Sequence, residues 1–314
     1  CAININIANT NCLGSNEGVT EYVKTFYPKI APFFIANKDQ QIITIGRKGC
    51  DFTSVAAAAA FITDSSQIYR YTLLVSPGIF LEPQIILKPY MAIRGATQTG
   101  SMIMALDPTK PLIVGSPYGS VENITLVGEN PGFPPSVYPP SLIYFPGTVS
   151  GNHFRINNVI FGSANTLIDL DSSVGPCIFI VFDCLINMQS IFQRCIRARD
   201  LAGPPISVVV DGITYLPQVS GTPAGFVAFF DFASSVMGPN PNIVTVIDDV
   251  TAGTALVPIR HGKFLSVTGS IFVAMSNTKA GGYASCFDVP AAVVPQYFLT
   301  AGLQFYNNTS DVSI

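Results

Sequence analysis

Charge is what this sequence has least of. Only 16 Lys and Arg and 19 Asp and Glu occur in 314 residues, so charged residues make up 11% of the chain, against about 25% in typical soluble domains. The formal net charge is -3 and the Lys and Arg are scattered, which leaves no basic field for nucleic acid and no polybasic patch for anionic lipid. Tryptophan is absent, and with it the commonest stacking platform for sugars. Two histidines, His153 and His261, and seven cysteines without a CxxC pair supply no zinc ligand set, so no metal or other cofactor is expected. The histidines are also too isolated for a nucleophilic triad. Gly281-Gly282 lacks the Lys-Ser/Thr that would follow in a phosphate loop. Mean hydropathy is high, at +0.43, yet the longest apolar run, Val55 to Ile62, is far short of the roughly 18–20 residues a membrane-spanning helix needs.

What the sequence does have is punctuation. Its 26 Gly and 24 Pro are spread along the chain, which disfavours long helices and suits strands joined by turns. Cys177, Cys184 and Cys195 sit in strand-like apolar sequence and read as small buried hydrophobes; Cys1 and Cys12 are a plausible local disulfide. From about residue 120 a short pattern recurs: an apolar residue, a turn-forming polar pair, then apolar alternation. It appears in Val121–Leu126, Ile156–Phe161, Phe182–Leu185, Val210–Tyr215 and Ile247–Val250, and in longer form in Val267–Ile271 and Leu299–Phe305. The apolar residues after these corners, at 124, 159, 185, 213, 250, 271 and 303, are 35, 26, 28, 37, 21 and 32 residues apart. A fixed corner with variable spacing suits stacked coils whose loops differ in length. Asp211-Gly212 is the lone Asn-Gly or Asp-Gly hairpin signal, so a parallel β-helix is favoured, with an antiparallel sandwich as the alternative.

Earlier in the chain, Asp51 or Ser54 precedes Val55 and five alanines, which predicts a capping helix over about residues 51–62. Such a helix would shield the open end of a solenoid. Strands are expected at Tyr71–Ser76, Gln84–Lys88 and Tyr90–Arg94. The order Gly49-Cys50-Asp51-Phe52-Thr53-Ser54-Val55, Tyr71-Thr72-Leu73-Leu74-Val75-Ser76-Pro77-Gly78-Ile79-Phe80-Leu81-Glu82 and Ile93-Arg94-Gly95 resembles the opening of right-handed β-helix proteins of the pectate-lyase and pectin-methylesterase type. It also resembles viral and phage fibre, spike and tailspike proteins built on that fold. The resemblance covers roughly residues 45–103 and implies an all-β, right-handed parallel β-helix over 45–314, with 1–44 as an N-terminal extension or assembly segment. It implies no esterase activity: Gln-Ala-Val, Asp-Phe-Ile-Phe-Gly and Leu-Gly-Arg-Pro-Trp are all missing.

One set of acids is a candidate site. If the corners stack in register, Glu122, Asn157, Asp183, Asp211 and Asp248 share a position on successive coils, about 5 Å apart. Carboxylates at that spacing suit glycoside hydrolysis, and like-charge crowding would raise one pKa. The simpler alternative is that Asp and Asn repeat because a repeated turn needs them. The Pro-rich stretch from Asn130 to Pro140 cannot join a central strand and would present Phe133 and Tyr138 to a partner or ligand. Apolar residues at outward positions, Ile160, Ile186 and Phe272 among them, suggest that neighbouring subunits cover the coils. The sequence therefore favours a non-enzymatic structural or receptor-binding element of a virion or extracellular fibre. A homotrimer is expected from the resemblance to viral fibres, and a host glycan is a candidate ligand. The alternatives are a polysaccharide-active hydrolase or lyase using Asp183, Asp211 and Asp248, and a passive glycan-binding adhesin.

Overall fold

A computed structural model of the chain describes residues 40–129, 137–146, 152–172, 177–187, 190–200, 205–216, 226–235, 242–253, 262–281, 283, 285–288, 297–301 and 304–306. Phe133, His261, Leu303, Cys1, Cys12 and most of the expected 1–44 extension lie outside these residues. The strands are β1 (Gln40–Ile45), β2 (Arg70–Val75), β3 (Gly78–Glu82), β4 (Ile85–Ile86), β5 (Met91–Gly95), β6 (Ser101–Ala105), β7 (Ile113–Val114), β8 (Gly119–Val127), β9 (Ser141–Phe145), β10 (Asn152–Phe161), β11 (Thr166–Ser172) and β12 (Cys177–Ile186). They continue as β13 (Arg194–Asp200), β14 (Ile206–Tyr215), β15 (Ala228–Ser234), β16 (Ile243–Asp248), β17 (Thr251–Ala252), β18 (Lys263–Thr268), β19 (Ile271–Ser276), β20 (Lys279–Gly281), β21 (Ser285–Asp288), β22 (Tyr297–Ala301) and β23 (Gln304–Tyr306).

These strands make two sheets. The first runs β1-β2-β5-β8-β10-β12-β14-β16-β19-β22, extended by β3, β6, β17, β20 and β23, and the second runs β21-β18-β15-β13-β11-β9-β7-β4. Neighbouring strands within a sheet come from successive turns of the chain and pair in parallel, as β10 does with β8 and β12 and as β13 does with β11 and β15. The chain is therefore a solenoid and not an antiparallel sandwich. Period-2 alternation closes the core: Val121, Ile156, Val181, Val210 and Ile247 stack inward from the first sheet, and Ile143, Ile168, Ile196, Phe230 and Leu265 from the second. Cys177, Cys184 and Cys195 are buried among them, and burial pushes the Cys184 thiol up to about 12. No helix among the described residues is long and apolar enough to cross a membrane.

The helix α1 (Val55–Phe61) is shorter than the sequence suggests. Ser54 is its N-cap, accepting from the Ala57 N–H at 3.2 Å. Asp51 instead closes a turn, accepting from both the backbone N–H and the hydroxyl of Thr44 at 2.8 Å. Two charges from the next coil hold the helix ends. The buried Glu82 carboxylate accepts from Ser54 Oγ at 2.7 Å, Val55 N at 2.7 Å and Ala56 N at 3.1 Å. Lys88 donates to the carbonyls of Ala60 and Ile62 at the other end. An acid at the N-terminus and a base at the C-terminus complement the orphan groups and partial charges of the helix. Glu82 thus explains the acid in the Pro-Gly-x-Phe-x-Glu segment.

Corners in the first sheet are left-handed. Asn123 (φ 52°), Asn158 (φ 56°), Asp183 (φ 49°), Gly212 (φ 74°), Asp249 (φ 47°) and Asn277 (φ 46°) occupy one column, in the conformation that Gly, Asn and Asp tolerate best. The column corrects the sequence reading by one residue at β12. Phe182, not Asp183, pairs with Asn157 and Asp211, and Cys184, not Leu185, pairs with Ile213. The apolar Phe182 was aligned with inward residues, but its ring faces out beneath the Arg155 guanidinium, 5.7 Å from the ring centroid. With the slip removed, Ile186 is buried and Leu185 faces out. Gly269, taken as another copy of this corner, instead turns the chain between β18 of the second sheet and β19 of the first; Asn277 is the true corner.

Two amides extend the corners into a ladder. Asn123 Nδ2 donates to the Gly95 carbonyl at 2.9 Å, and Asn158 Nδ2 donates to Asn123 Oδ1 at 2.8 Å. Asn123→Ala loses both bonds and places a non-glycine residue in left-handed backbone without local support, at an expected cost of about 2–3 kcal/mol. Asn123→Gly should recover roughly 1 kcal/mol of that by removing the conformational part. Urea titration of the two variants checks both the loss and its division.

Candidate functional site

The structure brings two of the three expected acids together. Asp211 and Asp248 are directly paired on β14 and β16, so their Cα atoms are one strand spacing apart, about 5 Å. Glu122 and Asn157 lie in the same column on β8 and β10, separated from Asp211 by Phe182. Asp183 sits one residue further on, in the left-handed corner column. Burial and then the carboxylates of Asp248, Asp183 and Asp249 push Asp211 above the ordinary carboxylate range. Asp248 is held below it, chiefly by the Ser276 hydroxyl donating at 2.8 Å, with Asn277 Nδ2 donating at 3.0 Å. Among the described residues no three His, Cys, Asp or Glu side chains are arranged to hold a metal ion.

Asp211 therefore binds its proton more tightly in the folded state than in the unfolded one. Its contribution to stability falls as pH rises from the unfolded carboxyl value, near 4, through the raised folded value. Asp211→Asn removes that penalty. It should raise the stability of the protein at about pH 7 and leave stability near pH 3 almost unchanged. Melting curves of the two proteins at both pH values decide it.

Tyr138 is half-buried rather than projecting. Its carbonyl accepts from Asn165 Nδ2 at 3.4 Å, while the Pro139 and Pro140 carbonyls accept from the N–H groups of Asn165 and Thr166, both at 3.0 Å. The end of the Pro-rich stretch is thus tied to the following coil. Burial, then Glu129, pushes the Tyr138 phenol up.

A denser constellation lies on the second sheet. In β11, Ile168 and Leu170 turn to the core, which places Asp169 and Asp171 on the opposite, outward side. In β13 the same alternation turns Ala198 inward and places Arg197 and Arg199 outward, in register with the two acids. Each guanidinium grips its partner through two nitrogens. Arg199 Nε and Nη2 donate to Asp171 Oδ1 and Oδ2 at 2.9 and 3.0 Å, and Arg197 binds Asp169 the same way through Nε, at 2.7 Å, and Nη2. Tyr144 on β9 donates its hydroxyl to Asp171 Oδ2 at 3.2 Å. Further along the face, Arg194 pairs with Asp231 at 2.6 Å, and Lys263 pairs with Asp288.

Four of the 16 Lys and Arg and four of the 19 Asp and Glu therefore share one face of one sheet. Asp169 and Asp171 are 5% and 3% exposed although they point away from the core. Burying two charged pairs is costly unless their geometry is good, and these pairs are bidentate. Asp169, the nearest of its partners, pushes the Arg197 guanidinium up. Burial, then Asp171, pushes the Tyr144 phenol up, so Tyr144 keeps its proton well beyond neutral pH. Fixed carboxylates beside a protonated phenol and two planar cations can accept a proton, attack an electrophilic carbon and stabilise developing negative charge. Sequence reasoning missed this face. Its signal is Asp-Leu-Asp in one strand and Arg-Ala-Arg in another, 28 residues later.

No family model and no curated protein matches the sequence. Among solved structures, the chain is similar to a pectin methylesterase from carrot, with 12% identity, 89% of each chain covered and a TM-score of 0.55. The chain is a right-handed parallel β-helix. Weaker likenesses are to pectin methylesterase PemA from Erwinia chrysanthemi, at 12% identity over 82% of this chain and 92% of that one with a TM-score of 0.39, and to the A-module of mannuronan C-5 epimerase AlgE4 from Azotobacter vinelandii, at 9% identity over 83% and 91% with a TM-score of 0.34. At 12% identity the carrot likeness establishes the fold alone. The β-helix explains the site's form: a flat strand face repeats side chains in rows from one coil to the next.

Proposed function

We propose that the protein acts on a polysaccharide laid across the outward face of the second sheet, as a hydrolase or lyase. The observation that carries this reading is the pair of outward, buried carboxylates, Asp169 and Asp171, each held by an in-register arginine, with Tyr144 on Asp171. Buried ionisable groups in fixed geometry concentrate at functional sites, and a chain so poor in charge places eight of its charges here. In this reading Asp171 is the base or nucleophile, Tyr144 the proton donor, and Arg197 and Arg199 orient the carboxylates and bind substrate oxygens. The carrot protein that shares the fold is a pectin methylesterase, which makes acidic polysaccharides the first substrates to test.

The experiment is a panel of methyl-esterified and de-esterified uronans and neutral glycans, with methanol, new reducing ends and unsaturated ends measured in parallel. Product from at least one polymer, lost in Asp171→Asn, is the expected result. Binding without product would move the protein to a passive adhesin, and neither binding nor product would restore the fibre reading. That second reading, a structural or receptor-binding component at a virion surface or in an extracellular assembly, draws its support from the apolar outward side of the first sheet.

A further inference from the structure

Three outward rows cross β2, β5, β8 and β10 at the N-terminal end of the first sheet. The first is a stack of side chains: the Arg70 guanidinium lies 5.5 Å from the Tyr90 ring centroid, the Tyr90 and Tyr118 rings are parallel within 6° at 4.7 Å, and the His153 ring follows at 5.9 Å. The second row holds Ala92, Ser120 and Arg155, and the third holds Arg94, Glu122 and Asn157. Since 4.7 Å matches the strand spacing, the stack follows the solenoid axis and leaves ring edges and hydroxyls to solvent; Tyr118 is 39% exposed. Both tyrosines hold left-handed backbone, at φ 62° and 59°, which bulky side chains adopt only at a cost. Burial, then Tyr118, pushes the Tyr90 phenol up, so it stays protonated and can donate. On the second sheet Arg194, Arg197 and Arg199 each grip a carboxylate. Here Arg94 and Arg155 are exposed and form no ion pair among the described residues, and Glu122 is the one acid in the three rows.

We propose that this face is a second, non-catalytic site for an anionic polysaccharide, laid along the solenoid axis with its carboxylates on Arg94 and Arg155 and its hydroxyls on Ser120, Asn157 and the tyrosine stack. An anion is favoured because the patch is positive on a chain of net charge -3, and because planar guanidinium groups bind carboxylates through two parallel hydrogen bonds. Charge density selects the polymer. Nucleic-acid binding commonly uses about 6–10 phosphate contacts and anionic membranes call for clusters of about 4–8 basic residues; three arginines suit a uronan, whose sugars bring a single carboxylate each among several hydroxyls. The site has an end. In the third row Phe182 and then Asp211 and Asp248 follow Asn157, and their carboxylates repel an anionic chain, which confines it to β2 through β10, three strand spacings or about 14 Å. Asn fills the left-handed corners at 123 and 158, so tyrosine at 90 and 118 is explained by the hydroxyls and ring edges it presents. The second sheet is a different face of the solenoid, and binding here does not depend on the proposed turnover.

Calorimetric titration of the full chain carrying Asp171→Asn, which keeps the probe intact, compares a short de-esterified uronan oligomer with the same oligomer fully methyl-esterified. The free acid is expected to bind about tenfold or more tighter than the ester, with an affinity that falls as salt is added. Arg94→Gln/Arg155→Gln should remove that preference and leave the melting curve unchanged. Tyr118→Asn, a residue that suits left-handed backbone, should weaken binding several-fold without loss of stability. A wild-type chain that converts no polymer should still show the arginine-dependent binding, so failure of the turnover reading is seen separately. Equal binding of acid and ester overturns the proposal, as does an affinity unchanged in either folded variant. Tighter binding of a single-stranded oligonucleotide or a phosphatidylserine vesicle than of the uronan overturns it too.

Discussion

Replacing Asp171 and Arg199 together by Leu and Met is expected to leave the coils folded and to remove polysaccharide turnover by about 10³-fold or more. The pair separates chemistry from architecture because its two roles respond differently. Removing one partner of a buried ion pair strands the other charge and costs roughly 3–5 kcal/mol, so Arg199→Met alone should be markedly unstable. Exchanging both for apolar groups of similar size is often neutral or stabilising by a few kcal/mol. A ladder serving only to register β11 against β13 would tolerate the double exchange with function intact. A base held in place by its guanidinium would not. Thermal melts and product release on the same preparations distinguish these outcomes, and Asp171→Asn, which keeps the shape, should show the activity loss with a smaller stability cost.

Glu82→Ala should produce a comparably large single-site destabilisation, about 3–5 kcal/mol. Its carboxylate is 1% exposed and accepts three hydrogen bonds at the start of α1. Bonds to a charged group are worth roughly 1.5–3 kcal/mol each and do not add fully, while the freed helix N–H groups would stay buried. Glu82→Gln retains the shape with fewer acceptor sites and should lie between. Because α1 covers the first coil, loosening it exposes strand edges and core. The expected sign of that, beyond a lower unfolding midpoint, is concentration-dependent light scattering below the melting transition.

The architecture was largely legible in the residues because a solenoid repeats its constraints. Asn123, Asn158 and Asp249 mark corners that need left-handed backbone, and Ile124 or Ile213 marks the inward residue that follows. The alignment slipped where a repeat broke its own pattern. Phe182 is apolar yet outward, stabilised by Arg155 above its ring, so hydrophobicity alone shifted β12 by one residue and moved Asp183 into the acid column. Short helices such as α1 were readable from Ser54 and the alanines, but the clamp by Glu82 and Lys88 was not, since it joins residues more than 20 positions apart.

The site was less legible than the fold. Asp211 and Asp248 could be paired by assuming that corners stack, and they are adjacent. Asp169 and Asp171 meet Arg197 and Arg199 on the other sheet, whose strands lack the Asn corner and so offered no register to count from. The low charge now has a more specific meaning. It goes with partly exposed apolar rows on β12, β14, β16 and β19 of one sheet and with the concentration of paired charges on the other.

The most direct test of that assignment is a crystal structure of the Asp171→Asn protein with an oligosaccharide from a polymer the wild-type protein converts. Sugar lying across β11 and β13, with a ring oxygen or leaving-group oxygen within hydrogen-bonding reach of residue 171, Tyr144 and Arg199, is the result this account predicts. Sugar seated on the first sheet beside Asp211 and Asp248, with the Asp169–Arg197 and Arg199 face bare, would contradict it.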